Sequence, residues 1–460
     1  MSTDNILKLL RDICGKEYAT DLPEERSCYS YDASRRSCMP DYVVKPRTTA
    51  EVSQIMKLAS QHQIPVYPRG AATGLTGASV PTQGGIAMSL LHMNKIIEID
   101  TRDLIAIVEP GVITVDLQKA SEAEGLFYPP DPASYRFCTI GGNVAVSAGG
   151  LRGLKYGVTK DYVLGLEAVL PSGEILNLGV RTLKGVVGYD LVRLFVGSEG
   201  TLGVVTKVTL KLLPLPEHKN TIEVFFSDVN SAAATVAQII RDKIIPAALE
   251  FMDSKAIECV RSMLQKQVPP GVGALLLIEI DGDPQLLKRQ IRQIQHICEI
   301  NQCIQVNLAA DAQERESMWA ARRAISPAIY RLGGGKLNED ICVPRSRLPQ
   351  MLERIDTISN KYDLLIVNFG HAGDGNIHVN VILPHDYTDQ DYQRGWLAVS
   401  DIFTATLELG GTISGEHGVG LAKADFLSQE IGVAELKLMK DIKRVFDPLN
   451  IMNPGKVFTV

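Results

Sequence analysis

The chain has 460 residues, of which 45% are hydrophobic and 22% are charged, and its formal net charge is −6. A chain of this length is too long to fold around a single hydrophobic core, so two or three domains are expected. The negative charge argues against a nucleic-acid partner, and no apolar run approaches the roughly 18 residues of a membrane-spanning helix. Because Met1–Tyr18 lacks the basic start and long apolar centre of a signal peptide, we expect a cytoplasmic protein, with any membrane association made through a partner.

The eight cysteines are scattered and form no CxxC pattern. An iron–sulfur cluster or a zinc site built from them is therefore not expected. Scattered reduced thiols are the default in a chain of this size. If the protein carries out redox chemistry, its electrons must leave to a separate acceptor.

An N-terminal helix is predicted within Met1–Tyr18, because Ile6, Leu9, Leu10 and Ile13 share one helical face. A second helix begins at the capping box Thr48–Glu51 and extends to about His62. The strand Pro65–Pro68 follows, and then a loop of small residues, Arg69–Ala78. Bulky side chains are missing from most of this loop, so main-chain N–H groups can face a ligand. That composition suits a bound diphosphate, although glycine loops without a ligand are common.

A second region of small residues follows two predicted strands, 96–100 and 105–111, and a helix over 114–125. It covers Thr139–Gly150, where the glycine pairs fit a short helix packed face-on to a flat ligand. The alternative is tight packing of this helix on a sheet, which needs fewer glycines. We therefore favour ligand contact.

A hairpin is predicted over 163–178, a glycine turn over 197–203 and a long alternating strand over 204–212. Pro214 and Pro216 then mark the end of the first domain. From about Asn220, strands alternate with helices in the order of a small α+β layer with helices on one face of an antiparallel sheet. A long helix over 312–332 carries Arg322. The predicted domains are 1–218, 219–410 and 411–460.

Two histidines flank a glycine-rich connection between predicted strands. Residues 364–367 are apolar and residues 379–383 alternate, so His371 and His378 lie at the ends of a tight strand-to-strand turn. The sequence Gly415–Gly418 adds Glu416 as a further ligand and His417 as a candidate base. Imidazole is the commonest metal ligand in proteins. Two hydrogen-bonded histidines in a polar turn are the alternative, but two such stretches in one chain favour a metal site.

Five motifs in this order closely resemble one family. They are PRGAATGLTGAS (68–79), TIGGNVA (139–145), GSEGTLGVVT (197–206), GHAGDGNIH (370–378) and GEHGVG (415–420). The chain resembles the FAD-dependent 2-hydroxyacid dehydrogenases of the vanillyl-alcohol-oxidase/PCMH type, which include the glycolate oxidase subunit GlcD, D-lactate dehydrogenases and D-2-hydroxyglutarate dehydrogenase. The resemblance covers residues from about 40 to 458.

The resemblance implies an α+β fold. Two α+β subdomains would form a PCMH-type FAD-binding domain, a ferredoxin-like α+β cap would bind the substrate, and the C-terminal segment would return to the FAD domain. The diphosphate would lie on the first glycine loop and the flavin against the second. The implied FAD contacts are Pro68, Arg69, Gly70, Ala71, Ala72, Thr73, Gly74, Leu75, Thr76, Pro130, Asp131, Ser134, Thr139, Gly141, Gly142, Asn143, Ala145, Gly149, Gly150, Glu199, Gly200, Val204 and Asn453.

The resemblance also assigns the chemistry. It implies a divalent ion, zinc before manganese or iron, on His371, His378 and Glu416, with His417 as the catalytic base. The implied substrate contacts are Arg322, Ser326, Lys336 and Asn380. Relatives that bond flavin covalently often use a histidine in the first glycine loop, and Arg69–Ala78 contains none, so dissociable FAD is expected.

The expected reaction is oxidation of a small D-2-hydroxy acid, glycolate or D-lactate before D-2-hydroxyglutarate, with electrons passed to an acceptor other than NAD. Two other hypotheses are a flavin-free metallohydrolase, which leaves the glycine loops unexplained, and a catalytically silent FAD-binding subunit. The electron acceptor stays open between a quinone, a soluble carrier, oxygen and a separate iron–sulfur or flavoprotein subunit, and the resemblance to GlcD favours the subunit. The oligomeric state, including a homodimer, stays open.

Overall fold

The computed structural model describes residues 3–264 and 267–458. The chain divides into two compact units. Unit 1 comprises Met1–Gly149, Val158–Leu215 and Glu416–Val460, and unit 2 comprises Gly150–Gly157 and Pro216–Gly415. The chain therefore passes between the units four times, and the short segment Gly150–Gly157, which the sequence placed in the first domain, belongs to unit 2. Among the described residues, no helix combines the length and the apolar character that a membrane crossing requires.

The first sheet of unit 1 has four strands in the order β1-β2-β4-β3, with β4 parallel to both of its neighbours. Its strands are β1 (Ala19–Thr20), β2 (Tyr42–Val44), β3 (Val66–Arg69) and β4 (Ile86–Ser89). The helices beside it are α1 (Thr3–Cys14), α2 (Pro23–Cys28) and α3 (Thr49–His62). Helix α3 starts as predicted, because the Thr48 hydroxyl accepts a hydrogen bond from the Glu51 N–H at 3.2 Å. The Glu51 carboxylate accepts from the N–H of Arg47, one residue earlier than a standard capping box.

The second sheet of unit 1 has five antiparallel strands in the order β5-β6-β10-β8-β9. These strands are β5 (Ile96–Asp100), β6 (Ile105–Val108), β8 (Val163–Val169), β9 (Ile175–Gly179) and β10 (Val204–Lys211), and a separate ribbon pairs β7 (Leu126–Phe127) with β11 (Leu213–Pro214). The helices of this region are α4 (Thr114–Ala123), α5 (Ile140–Val146) and α7 (Leu191–Phe195), and Thr159–Asp161 is a short 3-10 helix. Helix α5 is the short helix that the small residues predict.

The C-terminal segment is part of unit 1. It contains a 3-10 turn (Ala424–Phe426), α14 (Leu427–Glu430) and α15 (Val433–Phe446). The chain then runs beside the first sheet, where Val66 donates its N–H to Ile451 at 2.7 Å and accepts from the N–H of Asn453 at 2.8 Å. The first sheet is therefore extended by residues that lie almost four hundred positions later in the sequence.

Unit 2 is built on a seven-stranded sheet in the order β15-β12-β14-β13-β17-β18-β16, in which every pair is antiparallel. The strands are β12 (His218–Phe226), β13 (Ala248–Asp253), β14 (Ala274–Gly282), β15 (Gln305–Leu308), β16 (Gly335–Cys342), β17 (Leu365–His371) and β18 (Asn376–Leu383). The helices are α6 (Gly153–Tyr156), α8 (Val229–Arg241), α9 (Ser254–Val260), α10 (Pro284–Ile300), α11 (Ala312–Ile329), α12 (Leu348–Tyr362) and α13 (Asp389–Glu408), with 3-10 turns at Arg261–Met263 and Arg345–Arg347.

The sheet of unit 2 is covered on both faces, so the expectation of helices on one face is wrong. Residues 274–281 of β14 are all buried, and β18 is buried along its whole length. Successive strand residues point to opposite faces, so uninterrupted burial requires cover on each. The molecule as a whole has the predicted α+β class.

The register of β13, β17 and β18 determines which side chains meet. Glu250 pairs with His371, and Phe369 pairs with both Met252 and His378. The two histidines therefore lie on one face of the sheet, in a row with Phe369. The connection itself is only four residues long, 372–375, so both histidines are strand residues and not loop residues, and His378 is the third residue of β18.

Candidate active site

A cavity opens in unit 1 between the loops that the sequence marks as glycine-rich. It is lined by Pro68–Leu75, by residues of the 132–149 stretch and by the turn around Glu199 and Gly200. Most of these side chains are small, which leaves main-chain groups at the surface of the cavity. Glu416 and His417 also line it. A ligand in this cavity would therefore contact both glycine loops and an ionisable pair.

The two glycine loops approach each other more closely than larger residues would allow. A Cβ atom on Gly70 would lie 2.2 Å from the Thr139 hydroxyl oxygen, and one on Gly141 would lie 2.6 Å from Cβ of Pro110. Thr139 is the N-cap of α5, and its hydroxyl accepts a hydrogen bond from the N–H of Gly142 at 3.2 Å. The cavity wall thus depends on glycine at two positions where a methyl group has no room.

Arg69 is already engaged by the protein. Its two terminal nitrogens donate to the backbone oxygens of Tyr29 and Tyr31 at 2.7 and 3.1 Å. Burial lowers the pKa of Arg69, and the nearby charge of Asp32 opposes that shift. Asp32 also lines the cavity, and the sequence analysis missed it. Arg69 therefore fixes the loop to the 29–31 segment in addition to bordering the cavity.

Glu199 is a buried carboxyl group at the cavity wall. It accepts hydrogen bonds from the N–H groups of Val419 and Gly420 at 2.7 and 2.8 Å, which hold the backbone just after the GEHG motif. Burial raises the pKa of Glu199 to about 7, against the opposing effects of those two N–H groups and of Lys423 and Lys456. This residue therefore holds the segment that carries His417, a role its sequence context did not indicate.

Glu416 and His417 lie side by side in the cavity of unit 1. The Nε2 atom of His417 is 3.8 Å from a carboxylate oxygen of Glu416, and both side chains are largely buried. A Cβ atom on Gly149 would lie 2.7 Å from the other oxygen of Glu416. The Glu416 carboxylate therefore occupies space that a side chain at position 149 of the second glycine loop would fill.

Of the residues implied as FAD contacts, 17 line this cavity. They are Pro68, Arg69, Gly70, Ala71, Ala72, Thr73, Gly74, Leu75, Ser134, Thr139, Gly141, Gly142, Asn143, Ala145, Gly149, Glu199 and Gly200. Six do not: Thr76, Pro130, Asp131, Gly150, Val204 and Asn453. Asn453 donates to the backbone oxygens of Ala78 and Glu199 at 2.9 and 2.7 Å, so it joins two loops of the cavity instead of bordering it.

The second set of site residues belongs to unit 2, where His371 and His378 are buried and face each other. Their Nε2 atoms are 3.3 Å apart, and their ring planes are nearly perpendicular at 89°. Two imidazole nitrogens bound to a tetrahedral zinc ion, each at 2.0–2.1 Å, would be roughly 3.3 Å apart. The pair therefore has the spacing of two zinc ligands, and a hydrogen bond between the rings is the other arrangement that this distance allows.

Glu250, which the sequence analysis missed, joins His371 to Arg322. One carboxylate oxygen of Glu250 lies 2.6 Å from Nδ1 of His371. The other accepts from Nε of Arg322 at 2.9 Å and lies 2.6 Å from a terminal nitrogen of the same guanidinium. The Arg322 guanidinium also stacks on Phe369, 4.6 Å from the ring centre. Arg322 is thus a buried residue paired with Glu250, and not a solvated arginine on the surface of α11.

The other substrate residues that the resemblance implies lie on the same part of unit 2. Lys336 donates to the Ser326 hydroxyl at 3.3 Å, and Ser326 is one helical turn beyond Arg322 on α11. Asn380 is fully buried, its amide nitrogen donates to the backbone oxygens of Val367 and His378, and its Oδ1 has no hydrogen-bond partner. Among the described residues, this buried amide oxygen therefore lacks the donor that a buried polar atom usually has.

Two family models match the chain. The model described as "FAD binding domain" matches residues 40–179, and the model described as "FAD linked oxidases, C-terminal domain" matches residues 215–457. The first contains both glycine loops, and the second contains His371, His378 and the GEHG motif. Because the second match alone covers more than half of the chain, the flavin-free hydrolase hypothesis is set aside.

Full-length relatives and solved structures agree with these matches. "Glycolate oxidase subunit GlcD" of Bacillus subtilis is 45% identical over 100% of this chain and 97% of the relative, and "D-lactate dehydrogenase" of Anaerostipes hadrus is 37% identical over 91% and 89%. "D-2-hydroxyglutarate dehydrogenase" of Stutzerimonas stutzeri is 34% identical over 91% of both chains. The solved structure of p-cresol methylhydroxylase superposes with a TM-score of 0.81, at 18% identity, over 99% of this chain and 97% of that one. The chain belongs to the family of FAD-linked oxidases and is an FAD-binding oxidoreductase.

Proposed function

We propose that the protein oxidises a small D-2-hydroxy acid, glycolate or D-lactate before D-2-hydroxyglutarate, to the corresponding 2-oxo acid. The observation that carries the proposal is the cavity of unit 1, where two glycine loops border a space that also holds Glu416 and His417. An FAD-binding domain alone would need the loops and not the ionisable pair. The substrate class comes from relatives whose names specify glycolate, D-lactate and D-2-hydroxyglutarate.

The cavity fits FAD by its own chemistry. Two loops in which side chains are small or absent expose main-chain N–H groups, as a diphosphate and a flat ring system require. We propose contacts from the residues that border the cavity and an indirect, loop-fixing contribution from Asn453. No histidine lies in Arg69–Ala78, so the proposed FAD is non-covalent and acid precipitation should release it into the supernatant.

A divalent metal ion is the second proposed cofactor, with zinc preferred over manganese or iron. His371 and His378 offer Nε2 atoms at the separation of two zinc ligands, and Glu416 is the proposed third ligand. Gly415, the residue just before Glu416, donates its N–H to the backbone oxygen of Asp340, which pairs with His378 across β16 and β18. This anchor, within unit 2, supports a carboxylate ligand at position 416.

The residues of the chain have distinct proposed roles. When bound, FAD accepts the hydride from carbon 2 of the acid, and a divalent ion lowers the pKa of the substrate hydroxyl. His417 accepts the hydroxyl proton on a ring nitrogen, which a neutral imidazole can do near pH 7. Arg322 binds the substrate carboxylate with its second terminal nitrogen, the one that does not contact Glu250. Asn380 is proposed to line the substrate site, with its amide nitrogen held by the backbone oxygens of Val367 and His378.

The electrons are proposed to leave to a separate protein, an iron–sulfur or flavoprotein subunit, in the cytoplasm or at a membrane that the partner reaches. The eight cysteines of this chain form no CxxC pattern that would hold an iron–sulfur cluster. Relatives in Bacillus subtilis and Escherichia coli also carry the word subunit in their names. A pull-down of the tagged chain under mild conditions, followed by iron and flavin analysis of what co-purifies, tests this proposal.

D-2-Hydroxyglutarate is the second candidate substrate because Lys336 and Ser326 form a basic, polar pair distinct from Arg322. A second carboxylate could be bound there. Replacing Lys336 with methionine should then raise the KM for D-2-hydroxyglutarate by at least tenfold, whereas the KM for glycolate should stay within threefold. If Lys336→Met changes the KM values for both acids equally, Lys336 does not bind the second carboxylate of D-2-hydroxyglutarate.

The deciding experiment is anaerobic bleaching of the flavin absorbance at about 450 nm by each acid, with L-lactate as the stereochemical control. Fast bleaching by a D-acid or glycolate, lost after chelator treatment and restored by zinc or manganese, supports the flavin chemistry and the metal together. Bleaching that persists after verified metal removal would exclude the metal from the mechanism. No bleaching by any of these acids would favour the silent subunit.

A further inference from the structure

We propose that Glu250 is a positioning residue that holds His371 in the tautomer required for metal binding and, with its other oxygen, holds Arg322. The proposal rests on the proposed function, since it concerns the metal and substrate residues of unit 2. Glu250 lies in β13, is completely buried and uses both carboxylate oxygens, one on each partner. It is 121 residues from His371 in the sequence, and 72 from Arg322.

The tautomer follows from the donor and acceptor chemistry. Glu250 forms a buried ion pair with Arg322, and an ionised carboxylate only accepts hydrogen bonds. The contact of 2.6 Å between Glu250 and Nδ1 of His371 therefore requires the proton to be on Nδ1. A neutral His371 then carries its lone pair on Nε2, the atom that faces Nε2 of His378 at 3.3 Å. A metal ion needs that lone pair.

A carboxylate is the only amino-acid side-chain group of this length that can serve both partners. Glutamine has one oxygen and one NH2 group, and Arg322 and the Nδ1–H of His371 are both donors. With glutamine at 250, either Arg322 faces the NH2 group, or His371 accepts from it at Nδ1. In the second case the proton of His371 moves to Nε2, so Nε2 no longer has a lone pair with which to bind a metal ion. The conservative change Glu250→Gln should therefore weaken metal binding although it preserves shape.

The same contact joins two functions of unit 2. Arg322 presents Nε and one terminal nitrogen to Glu250, which fixes the plane of the guanidinium and limits it to one free terminal nitrogen for the substrate. We infer that a change at position 250 alters substrate affinity as well as metal affinity, whereas a change at His371 alters mainly the metal. Measuring KM and kcat for variants at positions 250 and 371 distinguishes these two effects, because a loss of substrate affinity raises KM.

The test compares the flavin-loaded enzyme and its Glu250→Gln variant in metal titrations with a chromophoric competitor, using zinc alone as the probe. Zinc affinity should fall by about 10- to 100-fold, the range found when the outer partner of a metal-binding histidine is removed. Glu279→Gln is the matched control. Glu279 is another buried acid of the same sheet, and it accepts hydrogen bonds from Trp319 and Thr221. Its zinc affinity should equal that of the wild type.

A double-mutant comparison shows whether Glu250 acts through His371. In a chain that already carries His371→Ala, the further change Glu250→Gln should lower zinc affinity by less than threefold, because contacting residues are not additive. A full additional 10-fold loss would overturn the proposal. Where Glu250→Gln fails to fold, Glu250→Asp keeps the charge but is too short for both partners, and unchanged zinc affinity in that variant would equally overturn it.

Failure of this inference is distinct from failure of the proposed function. If the wild-type enzyme binds no zinc in the titration, the assignment of a zinc site is itself wrong, and so is the role of Glu250 in zinc binding. If the wild type binds zinc and Glu250→Gln binds it equally well, the metal assignment stands and the positioning role is wrong.

Discussion

Replacing Glu199 with glutamine should change how the stability of the protein depends on pH. Burial raises the pKa of this carboxyl group from 4.5 to about 7 in the folded chain. The folded state therefore holds the proton more tightly than the unfolded state between pH 4.5 and 7. Stability falls as the pH rises through that window, and the loss is complete above pH 7. Glutamine has no proton to lose, so the variant lacks this contribution.

The size of the effect follows from the shift. A change of one pKa unit corresponds to about 1.4 kcal/mol, so a shift from 4.5 to about 7 corresponds to roughly 3 kcal/mol. The variant also loses an acceptor for one of the N–H groups of Val419 and Gly420, which costs roughly 1–3 kcal/mol at every pH. The variant should be the less stable protein at pH 4.5, and the difference should shrink or reverse by pH 8.

The assay is scanning calorimetry of both proteins at equal flavin content from pH 4.5 to 8. The difference between the two Tm values should change by roughly 3 °C across this range, for a chain of this size. Glu122→Gln, on the exposed part of α4, is the control, and its Tm difference from the wild type should be constant. A constant difference for Glu199→Gln as well would show that Glu199 does not titrate in this window.

Three other substitutions test the site. Gly70→Ala should weaken FAD binding by at least tenfold, because the added Cβ would lie 2.2 Å from the Thr139 hydroxyl oxygen. Adding Thr139→Ala should restore part of the FAD affinity, as measured by fluorescence titration. If it restores none, the contact between positions 70 and 139 does not limit FAD binding. Arg322→Ala should lower the unfolding free energy by roughly 3–5 kcal/mol in denaturant titrations, since it leaves Glu250 buried without its cation, and a loss below 1 kcal/mol would count against the ion pair. His417→Ala should lower kcat by roughly 10²–10⁴ with FAD still bound, and stopped-flow bleaching that retains more than a tenth of the wild-type rate would rule out His417 as the base.

Part of this arrangement could be predicted from the sequence because it depends on local patterns. Long runs without bulky side chains predict backbone exposed to a ligand, and both glycine loops border the cavity. His371 and His378 share a face because a four-residue connection joins two strands that pair directly with each other. In both cases, the deciding residues are close in the chain.

The rest depends on pairings between distant strands, which a single sequence does not encode in local form. Strand β13 was not predicted, and with it Glu250 was missed, because the six-residue run Ala248–Asp253 is completed only by β14 and β17 on its two sides. Asp32 lies in an irregular segment whose composition is unremarkable. The cover on both faces of the unit 2 sheet was missed because α9, which packs with α11 against β14, was not recognised.

The path of the chain between the units also sets the order in which they can be completed during synthesis. Unit 2 ends at Gly415, whereas unit 1 needs Glu416–Val460, including the hydrogen bonds of Val66 with Ile451 and Asn453. On a ribosome, all of unit 2 has been synthesised before the last piece of unit 1 exists. The FAD-binding unit, which starts first, is therefore completed last. All of its named strands are made before the main part of unit 2, Pro216–Gly415, whereas α14, α15 and the segment that pairs with Val66 are made after it.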